Sequence, residues 1–149
     1  MSIEQLAETA QAMVAPGKGI IAIDESSATI AKRFAAVGIE NTEENRRAYR
    51  ELLLTAPRLG DHISGAILYD ETIRQSTREG VPFARYMADH GMIPGIKVDK
   101  GTVPLAGFPG ELVTEGLDGL RGRLEEYYRL GARFAKWRAV INIGEDIPT

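Results

Sequence analysis

Along the chain, short amphipathic stretches alternate with compact apolar runs. Ser2 followed three residues later by Gln5 has the form of a capping box, and Ile3, Leu6, Ala10 and Met13 then recur at helical spacing until Pro16-Gly17. That predicts an amphipathic N-terminal helix. The run from Gly19 to Asp24 is apolar, rich in β-branched side chains, and ends abruptly in charge, as a first strand would. A helix is expected from Ser27 to Val37, closed by Gly38, and another from Thr42, whose hydroxyl can cap the acidic turn Glu43-Glu44. Ile63 to Tyr69 predicts strand two. Pro82 suits the first turn of a helix running through Tyr86 and Met87 to Gly91, and Ile93 to Val98 predicts strand three. A long loop rich in Gly and Pro follows. After it, a helix from Asp118 to Leu130 ends at Gly131, and Phe134 to Val140 predicts strand four.

Nearly continuous apolar strands separated by helices imply an α/β fold with a parallel sheet covered by helices. A doubly wound sheet would carry a glycine-rich phosphate turn after its first strand, and Asp24-Glu25-Ser26-Ser27 contains no glycine. In a (β/α) barrel, functional side chains sit at the carboxyl ends of several strands. Asp24, Lys97 and Lys136 each lie within or directly after a predicted strand. The pattern therefore predicts the parallel TIM-barrel family. A complete barrel has eight strands, so residues 1–149 are expected to form its first four strands as one half-barrel domain, with the amphipathic helix in front.

Composition narrows the function. With 44% hydrophobic residues the chain can bury a core, and a net charge of -3 with both signs interspersed offers no field for nucleic acid or an anionic membrane. There is no cysteine and there are two histidines, which excludes disulfide scaffolds and Cys-based zinc sites. No metal or other cofactor is expected. The N-terminus lacks the basic start and unbroken apolar core of a signal peptide, and no window has the length of a membrane span. A cytoplasmic location is expected.

Strand alternation puts Lys136 and Arg138 on one face with Trp137 opposite, and it puts Lys97 with Asp99. Two lysines, an arginine and two carboxylates would thus meet at a barrel mouth. Burying unpaired charge costs on the order of several kcal/mol, so such a cluster is either paired internally or completed by an anionic ligand such as phosphate. For any single residue, a salt-bridged strand rim is an equal explanation. Repetition over three strands favours function, and Lys136 among apolar neighbours favours it most. Ser26, Ser27 and Thr29 open a helix where hydroxyls and free N–H groups can cradle phosphate, although capping explains them equally. Lys32 and Arg33 follow one turn on. His62 and His90 read as exposed loop residues, Tyr127 and Tyr128 as packing residues, and Glu43 to Arg50 as a helix surface laced by spaced ion pairs.

The segments Lys18 to Ser26, Ile30 to Arg33, Glu40 to Arg47, Gly95 to Gly101 and Phe134 to Arg138 together resemble class I fructose-bisphosphate aldolases, in order and across essentially the whole chain. The resemblance implies a (β/α)8 barrel of glycolysis and gluconeogenesis that reversibly cleaves fructose 1,6-bisphosphate to dihydroxyacetone phosphate and glyceraldehyde 3-phosphate. The family works without metal, through a lysine Schiff base that serves as an electron sink. Carried over by position, Asp24 and Lys136 are expected to be catalytic. Ser26, Thr29, Arg33 and Lys97 are expected to bind the phosphate distal to the ketone, with Arg138 near the sugar hydroxyls and Arg46 as a further contact.

Thr29 stands where many relatives have serine, and Ala28 where many have glycine. The Glu-Gly-x-Leu-Leu-Lys-Pro-type segment bearing the Schiff-base lysine does not occur in these 149 residues, nor do the paired glutamates before it or the serine and arginine for the second phosphate. The chain alone is therefore expected to be inactive and its tail to mark a cut. Full-length relatives are expected to be homo-oligomers acting on a phosphorylated sugar. The alternative is a non-catalytic phosphosugar-binding half-barrel that self-associates through its unpaired strand edges.

Overall fold

The computed structural model describes residues 2–149. Helix α1 (Ile3–Met13) starts at a complete capping box, in which Ser2 Oγ accepts the Gln5 N–H and Gln5 Oε1 accepts the Ser2 N–H. Then come β1 (Gly19–Ala22), α2 (Ser27–Ala36), α3 (Glu43–Leu54), the short α4 (Leu59–His62), β2 (Ile63–Leu68) and the short α5 (Asp70–Ile73). Helix α6 (Phe83–Asp89), β3 (Ile93–Lys97), β4 (Thr102–Pro104), β5 (Leu112–Thr114), α7 (Leu120–Arg129) and β6 (Phe134–Lys136) complete the order. Ser26 and Thr42 cap α2 and α3 through their side chains, which satisfies one free N–H at each helix start.

The main sheet has the order β1-β2-β3-β6 with every neighbouring pair parallel, as helical crossovers between apolar strands require. Register assigns the two faces. Ala66, Leu68 and Ile96 point to one side and are buried under Leu54, Phe83, Met87 and Tyr127 from the covering helices. The core therefore lies between the sheet and its helices. On the other side the register aligns Ile20 with Gly65, Ala22 with Ile67, Ile67 with Gly95, Gly95 with Phe134, and Lys97 with Lys136. The Phe134 ring lies over Gly65 and Gly95, the two positions on that face where no Cβ stands in its way. Ile20, on the same face, is exposed. This face leads to the charged strand ends.

Several sequence expectations need correction. His62 is exposed, but it closes the short helix α4 rather than standing in a loop. Strand four stops at Lys136 rather than Val140, because its partner β3 stops at Lys97 and the Val98 N–H makes the last ladder bond to the Lys136 carbonyl. The long Gly- and Pro-rich loop contains the antiparallel hairpin β4–β5, whose three-residue strands are too short to show alternation. Pro82 caps α6 instead of entering its first turn. The run Glu43 to Arg50 is only partly a surface: Arg47 bridges Glu44 and Glu51 as spaced pairs, but Arg50 is 3% exposed and pairs with Glu25 at 3.0 Å.

Candidate functional site

Each parallel strand delivers a polar side chain to the same end of the sheet. Beyond β1, the Ile23 N–H still bonds to the Ile67 carbonyl and the Ile23 side chain enters the core, so Asp24 next to it turns to the opposite face. Past β2 come Tyr69 and Asp70. Strand β3 ends in Lys97 with Asp99 two residues on, and β6 ends in Lys136 with Arg138 two residues on. All of these line one cleft of about 780 Å³, together with Ser26 and Thr29 from the start of α2.

Two lysine–aspartate pairs organise the cleft. Lys136 Nζ donates to Asp24 Oδ2 at 2.6 Å, which joins β6 to the strand farthest from it in the sheet. Asp24 itself is 7% exposed. Lys97 Nζ donates to Asp99 Oδ1 and to the Asp99 carbonyl, both at 2.7 Å. Burial pushes the Asp99 carboxyl up, but the Lys97 hydrogen bond and charge, with N–H donors from Gly101 and Arg138, outweigh it and hold the group below the usual carboxylate range.

Ser26 Oγ and Thr29 Oγ1 lie 3.2 Å apart, and Ser26 Oγ also accepts the Thr29 N–H as the α2 cap. Arg33 and Arg46 do not line the cleft. Arg33 pairs with Glu25 and donates to the Tyr49 hydroxyl at 3.3 Å. Arg46 is held bidentately by Glu71, with Nε to Oε1 at 2.8 Å and Nη2 to Oε2 at 2.7 Å, and it also donates to Asn41. Asp24, Ser26, Thr29, Lys97, Lys136 and Arg138 are thus brought together, while Arg33 and Arg46 stand behind them.

Other cleft residues were not anticipated from sequence. Asp70 accepts from the Tyr127 hydroxyl at 2.9 Å and from Arg74 at 2.9 Å. Burial raises the Asp70 carboxyl, yet these donors win and its pKa lies below the ordinary value. Burial and the Asp70 bond raise the Tyr127 phenol. Arg123 donates to the carbonyls of Val98, at 3.0 Å, and of Gly116. Asp70 follows its strand as Asp24 does, and that rule could have found it. Arg123 and Tyr127 come from α7, where nothing local separates them from surface and packing residues. Among the described residues, no group of three or more His, Asp or Glu is placed to hold a metal ion. No helix there is long and apolar enough to cross a membrane.

Paired ammonium groups, a guanidinium and carboxylates in one cleft can bind an anion and move protons at a neighbouring hydroxyl. The family model for class-I fructose-bisphosphate aldolase matches residues 5–149. The chain belongs to the class-I fructose-bisphosphate aldolase family. It is 87% identical over 149 residues to the probable fructose-bisphosphate aldolase class 1 of Xanthomonas campestris pv. campestris, a match covering 100% of this chain and 45% of that relative. With fructose-bisphosphate aldolase 5, cytosolic, of Arabidopsis thaliana it shares 54% identity over 146 residues, covering 98% of this chain and 41% of the plant protein.

Among solved structures it resembles the fructose-bisphosphate aldolase of Plasmodium falciparum, determined in complex with TRAP and a small-molecule inhibitor. The TM-score is 0.91 at 53% identity, covering 95% of this chain and 41% of that one. The fold of this aldolase-family chain is that of the TIM-barrel family, with a four-stranded parallel sheet. The chain spans about half the length of the curated relatives it matches, 45% in the first of them.

Proposed function

We propose that residues 1–149 form the N-terminal half of a (β/α)8 aldolase barrel and supply one wall of a site that reversibly cleaves fructose 1,6-bisphosphate into dihydroxyacetone phosphate and glyceraldehyde 3-phosphate. The observation that carries this is the convergence of Asp24, Lys97, Lys136 and Arg138 from three strand ends on one cleft. Six lysines and arginines line the cleft against five aspartates and glutamates, and an anionic sugar phosphate balances the remaining cation. Lys97 and Arg138 bind its charged and hydroxyl oxygens, and Ser26 and Thr29 add hydroxyls at the start of α2. Asp24, already hydrogen-bonded to Lys136, accepts and returns a proton at the reacting hydroxyl. The Lys136 amine, 2.6 Å from the Asp24 carboxylate, donates a hydrogen bond in the same step. The Schiff base forms on a lysine that these 149 residues do not contain, and no metal takes part. Arg33 and Arg46 act from behind: Arg33 steadies Glu25 next to Asp24, and Arg46 joins α3 to Glu71. The site works in the cytoplasm, in keeping with the cytosolic relative.

The 149-residue chain incubated with fructose 1,6-bisphosphate should release no triose phosphate. A chimera that continues it with the portion of the Xanthomonas campestris relative outside the match should cleave the sugar, and Lys136→Met should lower its kcat by about a hundredfold or more. A chimera whose rate survives Lys136→Met would sink these assignments. A second reading is favoured by the exposed Ile20 on the inner face and by β1 and β6 lying at the sheet's two edges among the described residues. Here the chain binds phosphosugars without chemistry and pairs with a second copy. A symmetric dimer by light scattering that binds fructose 1,6-bisphosphate without cleaving it would support this alternative.

A further inference from the structure

One buried carboxylate in the cleft, Asp99, has no place in the steps above. Its side chain is 0% exposed, so water does not compete for it. Oδ1 accepts the Lys97 ammonium at 2.7 Å and the Gly101 N–H at 3.2 Å. The Asp99 carbonyl takes a second ammonium proton from Lys97 at 2.7 Å. An ammonium has three N–H donors, so two are engaged by this one residue and one is left for a ligand.

The rest of the segment is braced as well. Gly101 takes a φ of +100°, open to glycine, which lets its N–H fold back onto Oδ1. Arg123 grips the Val98 carbonyl, between Lys97 and Asp99, from the side of α7. Lysine is otherwise a flexible point charge that binds phosphate with little directional preference. Asp99 removes that freedom from Lys97.

We propose that Asp99 is a positioning residue for anion binding: it holds the Lys97 ammonium so that its third N–H meets a phosphate group of the ligand. This rests on the phosphosugar function proposed above. Asp99 touches no ligand and acts through Lys97.

The test uses the 149-residue chain labelled with nitrogen-15 at lysine, with Lys97→Arg to identify the Lys97 ammonium resonance. Inorganic phosphate is the probe. In the parent chain the Lys97 signal should be protected from exchange and should shift on adding phosphate. Asp99→Ala should abolish that protection and weaken phosphate binding about tenfold or more, with the isosteric Asp99→Asn, which keeps one acceptor oxygen, falling between. Far-UV circular dichroism of both variants keeps a folding defect distinct from lost positioning. A Lys97 signal that ignores phosphate in the parent chain overturns the proposal. So does an Asp99→Asn or Asp99→Ala variant, folded, whose Lys97 signal and phosphate affinity stay within about twofold of the parent.

In the chimera, Asp99→Ala should raise KM for fructose 1,6-bisphosphate about tenfold while kcat changes by less than about threefold. A fall in kcat at unchanged KM would contradict a positioning role. If the parent chimera fails to turn over the sugar while Lys97 still answers phosphate in an Asp99-dependent way, the aldolase function fails and the positioning role stands.

Discussion

Gly95 offers a sharp steric test of the inner face. A Cβ built there would meet three atoms of the Phe134 ring within 2.6 Å, where ordinary contact is 3.4–4 Å. Gly95 does not have a positive φ, so its backbone accepts alanine without strain and only the ring objects. In a strand, Gly→Ala by itself favours the folded state by roughly 0.5–1 kcal/mol. Here the ring must retreat by about 1 Å, and overpacking of this kind costs about 1–3 kcal/mol, so the sign reverses. The net loss is about 1–2 kcal/mol, and with a urea m-value of about 2 kcal/mol per molar Gly95→Ala should lower the unfolding midpoint by roughly 0.5–1 M. The emission of Trp137, the single tryptophan, reports it three residues from the ring. On a Phe134→Ala background the same substitution should cost nearly nothing, a coupling of about 1 kcal/mol or more. An equal shift in both backgrounds, or no loss in the parent, would show that Phe134 does not lie over Gly95.

Phe83 is 0% exposed at the start of α6 inside the helix-side core, so Phe83→Ala should cost about 3–5 kcal/mol by urea titration; a loss below about 1.5 kcal/mol would place the core elsewhere. Asp70 and Asp99 both titrate below their ordinary value of 3.8 in the folded chain, so the stability they contribute is present above about pH 4 and is lost as pH falls through the folded values. The urea midpoint should hold between about pH 7 and 5 and fall below about pH 4, less steeply in Asp99→Asn; a midpoint that rises on acidification would refute these pairings.

How much of this was legible in advance differs from element to element. The capping box at Ser2, the caps at Ser26 and Thr42 and the starts of the four parallel strands depend on neighbours a few residues apart, and all stand where the pattern put them. Local rules suffice there because the interactions are local. The placement of Asp24, Lys97 and Lys136 after apolar strands was equally visible, since a charge that ends a buried run must find a partner or a ligand. The β4–β5 hairpin was not, because its strands of three residues are held by pairing across a loop and not by any periodicity of their own.

The roles of the arginines divide on the same line. Arg33 lies one helical turn after the cleft residue Thr29 and Arg46 lies on α3, and nothing in their spacing distinguishes a side chain that meets a ligand from one that meets Glu25 or Glu71. Arg50, read as part of a surface stripe, is buried against Glu25 because α3 packs behind the end of β1. The sequence alone determined the longer helices, the strands of the parallel sheet and its charged strand ends, since these follow from periodicity and the cost of desolvating charge. Only the tertiary structure decided the partners that lie far apart in the chain. Lys136 finds Asp24 at a separation of 112 residues, whereas Lys97 and Asp99, two residues apart, were already put on one face by strand alternation. A side chain's partner is set by the through-space arrangement of strands and helices, and single-chain spacing carries no record of that distance.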